Sequence, residues 1–132
     1  MAGSFYVCGH IDTWHKEGRQ RGRKWIQVYK RFRHLLVKDF YRLLPQPQSD
    51  ADWDAAQFCD GEREGIVFAF RYRGRLTNQR LLLESTDETT TYNVRDEASG
   101  REQAIAGSAL AHEGLAVELN PIAAKLFSYK RQ

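Results

Sequence analysis

Cysteine is scarce: the 132 residues hold two, Cys8 and Cys59, with no CxxC spacing. Two thiols so far apart are expected to be reduced packing residues rather than a disulfide. No apolar run approaches the roughly 20 residues a membrane-spanning helix needs, so no membrane partner is expected. The first eight residues have no basic stretch and only a brief apolar one, which gives no signal peptide and an expected cytoplasmic location. A glycine-rich phosphate loop is missing. Ser108 and His112 are close in sequence but sit in no GxSxG elbow. Internal repeats and low-complexity tracts are absent. So are alternating βα units, which excludes a dinucleotide-binding fold and a complete (β/α)8 barrel.

What is there fits one soluble globular unit: 42% hydrophobic and 28% charged residues. The charge is uneven. Residues 1–48 hold ten Lys/Arg against three Asp/Glu, a net +7, and residues 49–132 hold ten against fourteen, a net −4. A basic first third invites a nucleic-acid reading through Arg19, Arg21, Arg23, Lys24, Lys30, Arg31 and Arg33. A solvated helix face, or one that meets an acidic neighbour, is the plainer reading, and nucleic acid is not the expected partner.

The period changes at Ser49. Residues 1–18 are mixed and 19–24 form a charged lead-in. Trp25, Val28, Tyr29, Phe32, Leu35 and Leu36 then recur at helical spacing as one continuous stripe. The proline pair Pro45 and Pro47 closes this region. Strands are expected at 40–44, 53–59, 65–73, 80–84, 89–96, 114–119 and 124–131, with a returning strand at 101–106. A loop or short helical turn is expected at 107–113. The run at 65–73 is apolar on both faces at its centre, as a central strand should be. The expected fold is therefore mainly β: an antiparallel β-sandwich of about eight strands, Greek-key type, preceded by one long amphipathic helix. The expected division is 1–39 for the N-terminal segment and helix, and 40–132 for the sandwich.

No constellation amounts to a catalytic kit. His10, Asp12 and His15 match no tight metal-site spacing. Asp50, Asp52, Asp54 and Asp60 lack the glycine and distal glutamate of a calcium loop and read as solvated loop charge. A glycosidase needs two carboxylates opposed across a sugar, and the carboxylates here fall on turns and strand edges. No metal and no cofactor are expected. Among the aromatics, Trp14 and Trp53 are the candidates for sugar contact, against the commoner role of aromatic side chains in a core.

Several stretches taken in order resemble the C-terminal end of melibiase-type α-galactosidases, glycoside hydrolase family 36 and its relatives. They are WIQVYKRFR at 25–33, DFYRL at 39–43, WDAAQF at 53–58, GIVFAFR at 65–71, TYNVRD at 91–96, GSAL at 107–110 and GLAV at 114–117, with Ser128 and Tyr129 near the end. The resemblance covers roughly residues 20–131. It implies that residues 20–38 are the last helix of a catalytic barrel and residues 40–131 the β-sandwich beside it. His10 and Asp12 would then fall in a late barrel loop. The motifs that carry the family's catalytic aspartates match nothing here, so no catalytic residue is carried over. The implied role is a non-catalytic domain that packs against and stabilises the barrel. The interface, or a site of self-association, would be the stripe Trp25, Tyr29, Phe32 and Leu36, part of which is expected to stay uncovered. A carbohydrate-binding module and a nucleic-acid-binding domain are the alternatives.

Overall fold

The computed structural model describes residues 13–132. Helix α1 spans Lys16–Phe32 and begins earlier than the polar lead-in suggested. Its first turns carry Gly18 and Gly22, which cost helix propensity. They make room instead: a Cβ on Gly22 would stand 3.2 Å from a ring carbon of Trp14, whose indole lies along this turn. The expected continuous stripe is broken. The α-helix stops at Phe32, and Leu35 and Leu36 lie on a separate 3-10 turn, Leu35–Val37. The backbone N–H of Lys38 bonds back to the Leu35 carbonyl and ends it.

Eight strands follow: β1 Asp39–Arg42, β2 Trp53–Cys59, β3 Glu64–Arg71, β4 Asn78–Leu81, β5 Thr91–Asp96, β6 Glu102–Ala106, β7 Leu115–Glu118 and β8 Ala123–Arg131, with a short helix α2, Gly107–His112, between β6 and β7. They form two antiparallel sheets of unequal size. Six strands run in the order β1-β2-β3-β8-β5-β6, and β4 pairs with β7 alone. The last strand of the chain thus lies in the interior of the large sheet. It pairs with β3 from Glu64↔Lys130 to Arg71↔Ala123, and with β5 from Tyr92↔Arg131 to Asp96↔Phe127.

The alternation along the strands sorts side chains to two faces. On β2, Trp53, Ala55 and Cys59 join Val67, Ala69, Tyr92, Val94, Phe127 and Tyr129 against Leu81, Leu115 and Val117 of the small sheet and Leu110 of α2. Phe58, Ile66 and Leu126 look the other way and meet Val28 and Phe32 of α1 and Leu35 of the 3-10 turn. The large sheet is therefore covered by the helix on one side and by the small sheet on the other. Strand β3 is apolar on both sides because both are covered. Burial of each large side chain contributes about 1.5–3 kcal/mol.

Polar groups fasten the layers. The fully buried Gln57 of β2 donates from Nε2 to the Glu84 carbonyl at 2.8 Å, and to Tyr129 Oη at 2.6 Å. Its Oε1 accepts the Glu84 backbone N–H at 2.9 Å. Buried Arg71 donates to the carbonyls of Gly74 and Leu119 and closes the two turns beside it. The expected strand at 80–84 ends early, at Leu81. Past it the backbone turns away: Leu83 N–H bonds to the Leu110 carbonyl and Ser85 takes a positive φ of 51°.

Candidate interaction surfaces

The helix-to-sheet junction is both apolar and ionic. Glu97, just past β5, is buried, and its carboxylate gathers three side chains. Ser128 Oγ donates to Oε1 at 2.6 Å, Arg31 of α1 donates to Oε2, and Arg95 Nε stands 3.7 Å from the same oxygen. Arg95 Nε is buried and makes no hydrogen bond. Arg95 Nη1 is taken by Glu102 at 2.6 Å. Lys24, about two turns earlier on α1, donates to the Ala98 carbonyl. Two of the seven cations in the basic stretch, Lys24 and Arg31, are thus turned onto the chain's own sheet, which shrinks the surface available to a nucleic acid.

The four side chains expected to form an interface are divided. Phe32 is buried, edge-on to Phe68 at 6.2 Å between centroids, so its partner is β3 of this chain. Trp25, Tyr29 and Leu36 are half-buried at the border of the same cluster. The sequence pattern showed an apolar stripe but not what would cover it, and the large sheet covers most of it. Open apolar surface also lies past the helix, on the same sheet face. Phe40 is 54% exposed, Phe70 46% and Tyr72 45%.

Phe70, Tyr72 and Ile122 line one open groove of about 400 Å³, with Asp50, Asp52 and Asp54 among the other lining residues. Sequence reasoning did not single out this groove. Its signal was available in Phe68, Phe70 and Tyr72, which alternate onto one face of β3 and its extension, with the rings of Phe68 and Phe70 parallel at 6.3 Å. Ile122 is 68% exposed and holds φ at 55°, a region branched side chains rarely enter. Of the two expected sugar contacts, Trp53 is 6% exposed and its indole N–H is spent on the Leu76 carbonyl at 3.0 Å, so it presents no open ring face. Trp14 is half-buried against Gly18 and Gly22.

The acidic residues are employed structurally. Asp52 accepts the backbone N–H groups of Gln48 and Ser49 at 2.9 and 3.0 Å, Asp54 accepts Arg42 at 2.9 Å, and Asp50 stands 3.7 Å from Arg73. Four carboxyls are held below the usual carboxylate range: Asp52 by the Gln48 N–H, Asp60 by Arg63, Asp87 by the Thr89 hydroxyl and Glu102 by Asn93. A general acid requires a carboxyl pushed the other way. Among the described residues no three His, Cys, Asp or Glu side chains group as metal ligands, and no helix is long and apolar enough to cross a membrane. His15 is exposed at the start of α1, and His10, Asp12 and Cys8 lie outside the described residues. Cys59 is a buried thiol, pushed up by that burial.

The described residues thus form a helix laid on a six-stranded antiparallel sheet, with a two-stranded sheet on its other face. No protein-family model matches the chain, and no curated protein does. Solved structures do. The chain superposes on the GH36 alpha-galactosidase AgaB of Geobacillus stearothermophilus with a TM-score of 0.76 at 21% identity, over 92% of this chain and 17% of that one. It matches the galactosidase domain of the alpha-galactosidase-sucrose kinase AgaSK with a TM-score of 0.73 at 21% identity, over 92% of this chain and 17% of that one. For the alpha-galactosidase of Lactobacillus brevis the TM-score is 0.75 at 17% identity, over 93% and 18%. The chain has the fold of one segment of GH36 alpha-galactosidases and spans about a sixth of their length.

Proposed function

We propose that this chain is a non-catalytic C-terminal β-domain of a GH36-like α-galactosidase, packing against the catalytic barrel. In this reading α1 is the last barrel helix and residues 40–132 are the sandwich that fixes it. The carrying observation is that the likeness covers nearly all of this chain and only 17–18% of the solved enzymes. It is supported by the way Asp52, Asp54, Asp60, Asp87 and Glu102 are each hydrogen-bonded to the chain's own groups. The barrel would meet the half-buried Trp25, Tyr29 and Leu36 and the open Phe40. The decisive assay is hydrolysis of an aryl α-galactoside by the purified chain. No turnover is expected; turnover abolished by replacing one of the chain's own carboxylates would refute the reading. The coding sequence that flanks this one is expected to encode a barrel with two facing aspartates.

A second reading is favoured by one feature, the groove of Phe70 and Tyr72 beside Asp50, Asp52 and Asp54, which pairs ring faces with hydroxyl acceptors as a sugar site would. A carbohydrate-binding module would then use Phe70 and Tyr72 in place of Trp53. Calorimetric titration with galactosides and a polysaccharide panel tests it, and flat heats on every sugar would remove it.

A further inference from the structure

We propose that β6 is a dimerisation strand, and that two copies of this chain join β6 to β6, antiparallel, about a two-fold axis at Ala104. The two large sheets then become one.

The backbone carries the case. Among the described residues β6 ends the large sheet and pairs on one side only, with β5. Just outside the strand, Asp96 N–H bonds to the Arg101 carbonyl and Gly107 N–H to the Thr90 carbonyl. Those two bonds set the phase of the ladder. Residues 101, 103, 105 and 107 turn their N–H and C=O groups toward β5. Glu102, Ala104 and Ala106 turn theirs outward. Ala106 also caps α2, and its carbonyl takes the first bond of that helix, so each copy presents three donors and two acceptors along an edge whose residues are exposed except for half-buried Ile105.

A second copy placed about Ala104 pairs all of them but the Glu102 N–H. Ala104 faces Ala104, and Glu102 faces Ala106 of the other copy, as the hydrogen-bonded pairs. Gln103 faces Ile105 between them. No like charges meet, and alanine at the axis lets the backbones close to ladder distance. Natural sheets guard open edges with lysine, proline or a charge held outward, and residues 102–106 contain neither lysine nor proline. Their one charge, Glu102, is folded back over the chain's own sheet by Arg95 and by Asn93 at 3.1 Å. The opposite edge is different. β1 is four residues long, has Lys38 before it and Arg42 within it, and is followed by Pro45. An unrelated peptide would have to supply a complementary strand, and a second copy already carries one.

The test is light scattering on the purified chain across a wide concentration range, with hydrogen exchange read at single amides. The expected mass is that of two 15.3 kDa chains. The amides of Ala104 and Ala106 should be slow at high concentration and fast on dilution. Ala104→Lys sets two like charges at the axis, and Ala104→Pro removes an outward N–H without touching a β5 bond. Each should halve the mass with an unchanged far-ultraviolet spectrum. A monomer at every concentration would overturn the proposal. So would a dimer that survives Ala104→Lys, or one whose protected amides lie at 39–42. If a variant fails to fold, the exchange pattern of the wild-type chain still decides.

Discussion

Replacing Gln57 by Leu probes how the two faces of the molecule are fastened. Leu keeps most of the volume and removes all three hydrogen bonds of the amide. Tyr129 Oη, inside the core, loses its donor, and the N–H and C=O of Glu84 lose their tie to β2. An abandoned buried group costs about 1–3 kcal/mol. The Glu84 side chain is exposed, so its backbone rehydrates in part. The expected loss is about 2–4 kcal/mol, or roughly 8–16 °C in Tm for a chain of this size. Gln57→Glu should be worse at neutral pH, because a buried carboxylate would point at the Glu84 carbonyl. Burial raises that carboxyl's folded-state pKa above its unfolded value, so the folded state favours its neutral form. The deficit therefore deepens as pH rises past about 4.3 and shrinks below it. Urea unfolding followed by tryptophan fluorescence, at neutral pH and near pH 4, measures both variants. A Gln57→Leu chain within about 0.5 kcal/mol of wild type would refute the clamp.

Gly65→Ala should cost about 1–3 kcal/mol by overpacking, because the added Cβ would lie 2.3 Å from Tyr129 Oη and 2.7 Å from the Phe58 carbonyl. It should also be non-additive with Gln57→Leu in a double-mutant cycle, since both act on Tyr129. Glu97→Ala should lose about 2–4 kcal/mol and loosen α1, seen as faster exchange of helix amides, whereas Arg31→Ala should lose under about 1 kcal/mol because that guanidinium is half in water. The pH profile follows from the titrating groups. Asp52, Asp60, Asp87 and Glu102 have depressed folded-state pKa values, so their contribution is present above about pH 4 and is lost as pH falls through the folded values. Tyr92 and Tyr129 are raised by burial, so theirs is present below about pH 10 and is lost as pH climbs beyond it. A urea midpoint flat from pH 3 to 11 would contradict both assignments.

Local elements were legible where the chain punctuates itself. Strand β2 matches its expected bounds because a loose alternation starts at Trp53 and Asp60 and Gly61 turn the chain after Cys59, Gly61 at a φ of 57°. Long-range matters were not. No local signal says that 123–131 belongs between β3 and β5, so the split into six strands and two could not be read. Trp53 looked available to a sugar because nothing in its neighbourhood announces the Leu76 carbonyl 23 residues on. The groove of Phe70, Tyr72 and Ile122 escaped for the same reason, since its walls come from three separate stretches. The family resemblance agrees with the solved structures in fold, and the stripe that the sequence displayed without a partner also packs on the chain's own sheet.

The place of β8 has a consequence for biosynthesis. The meander β1–β3 and the hairpin β5–β6 share no ladder until residues 123–131 run between them. Residues 123–131 must therefore leave the ribosomal tunnel before the two halves can join. Until then Ile66, Val67 and Val94 stand open to chaperones and proteases. A premature stop ahead of residue 123 would leave two orphaned half-sheets, and the cell would treat the product as unfolded.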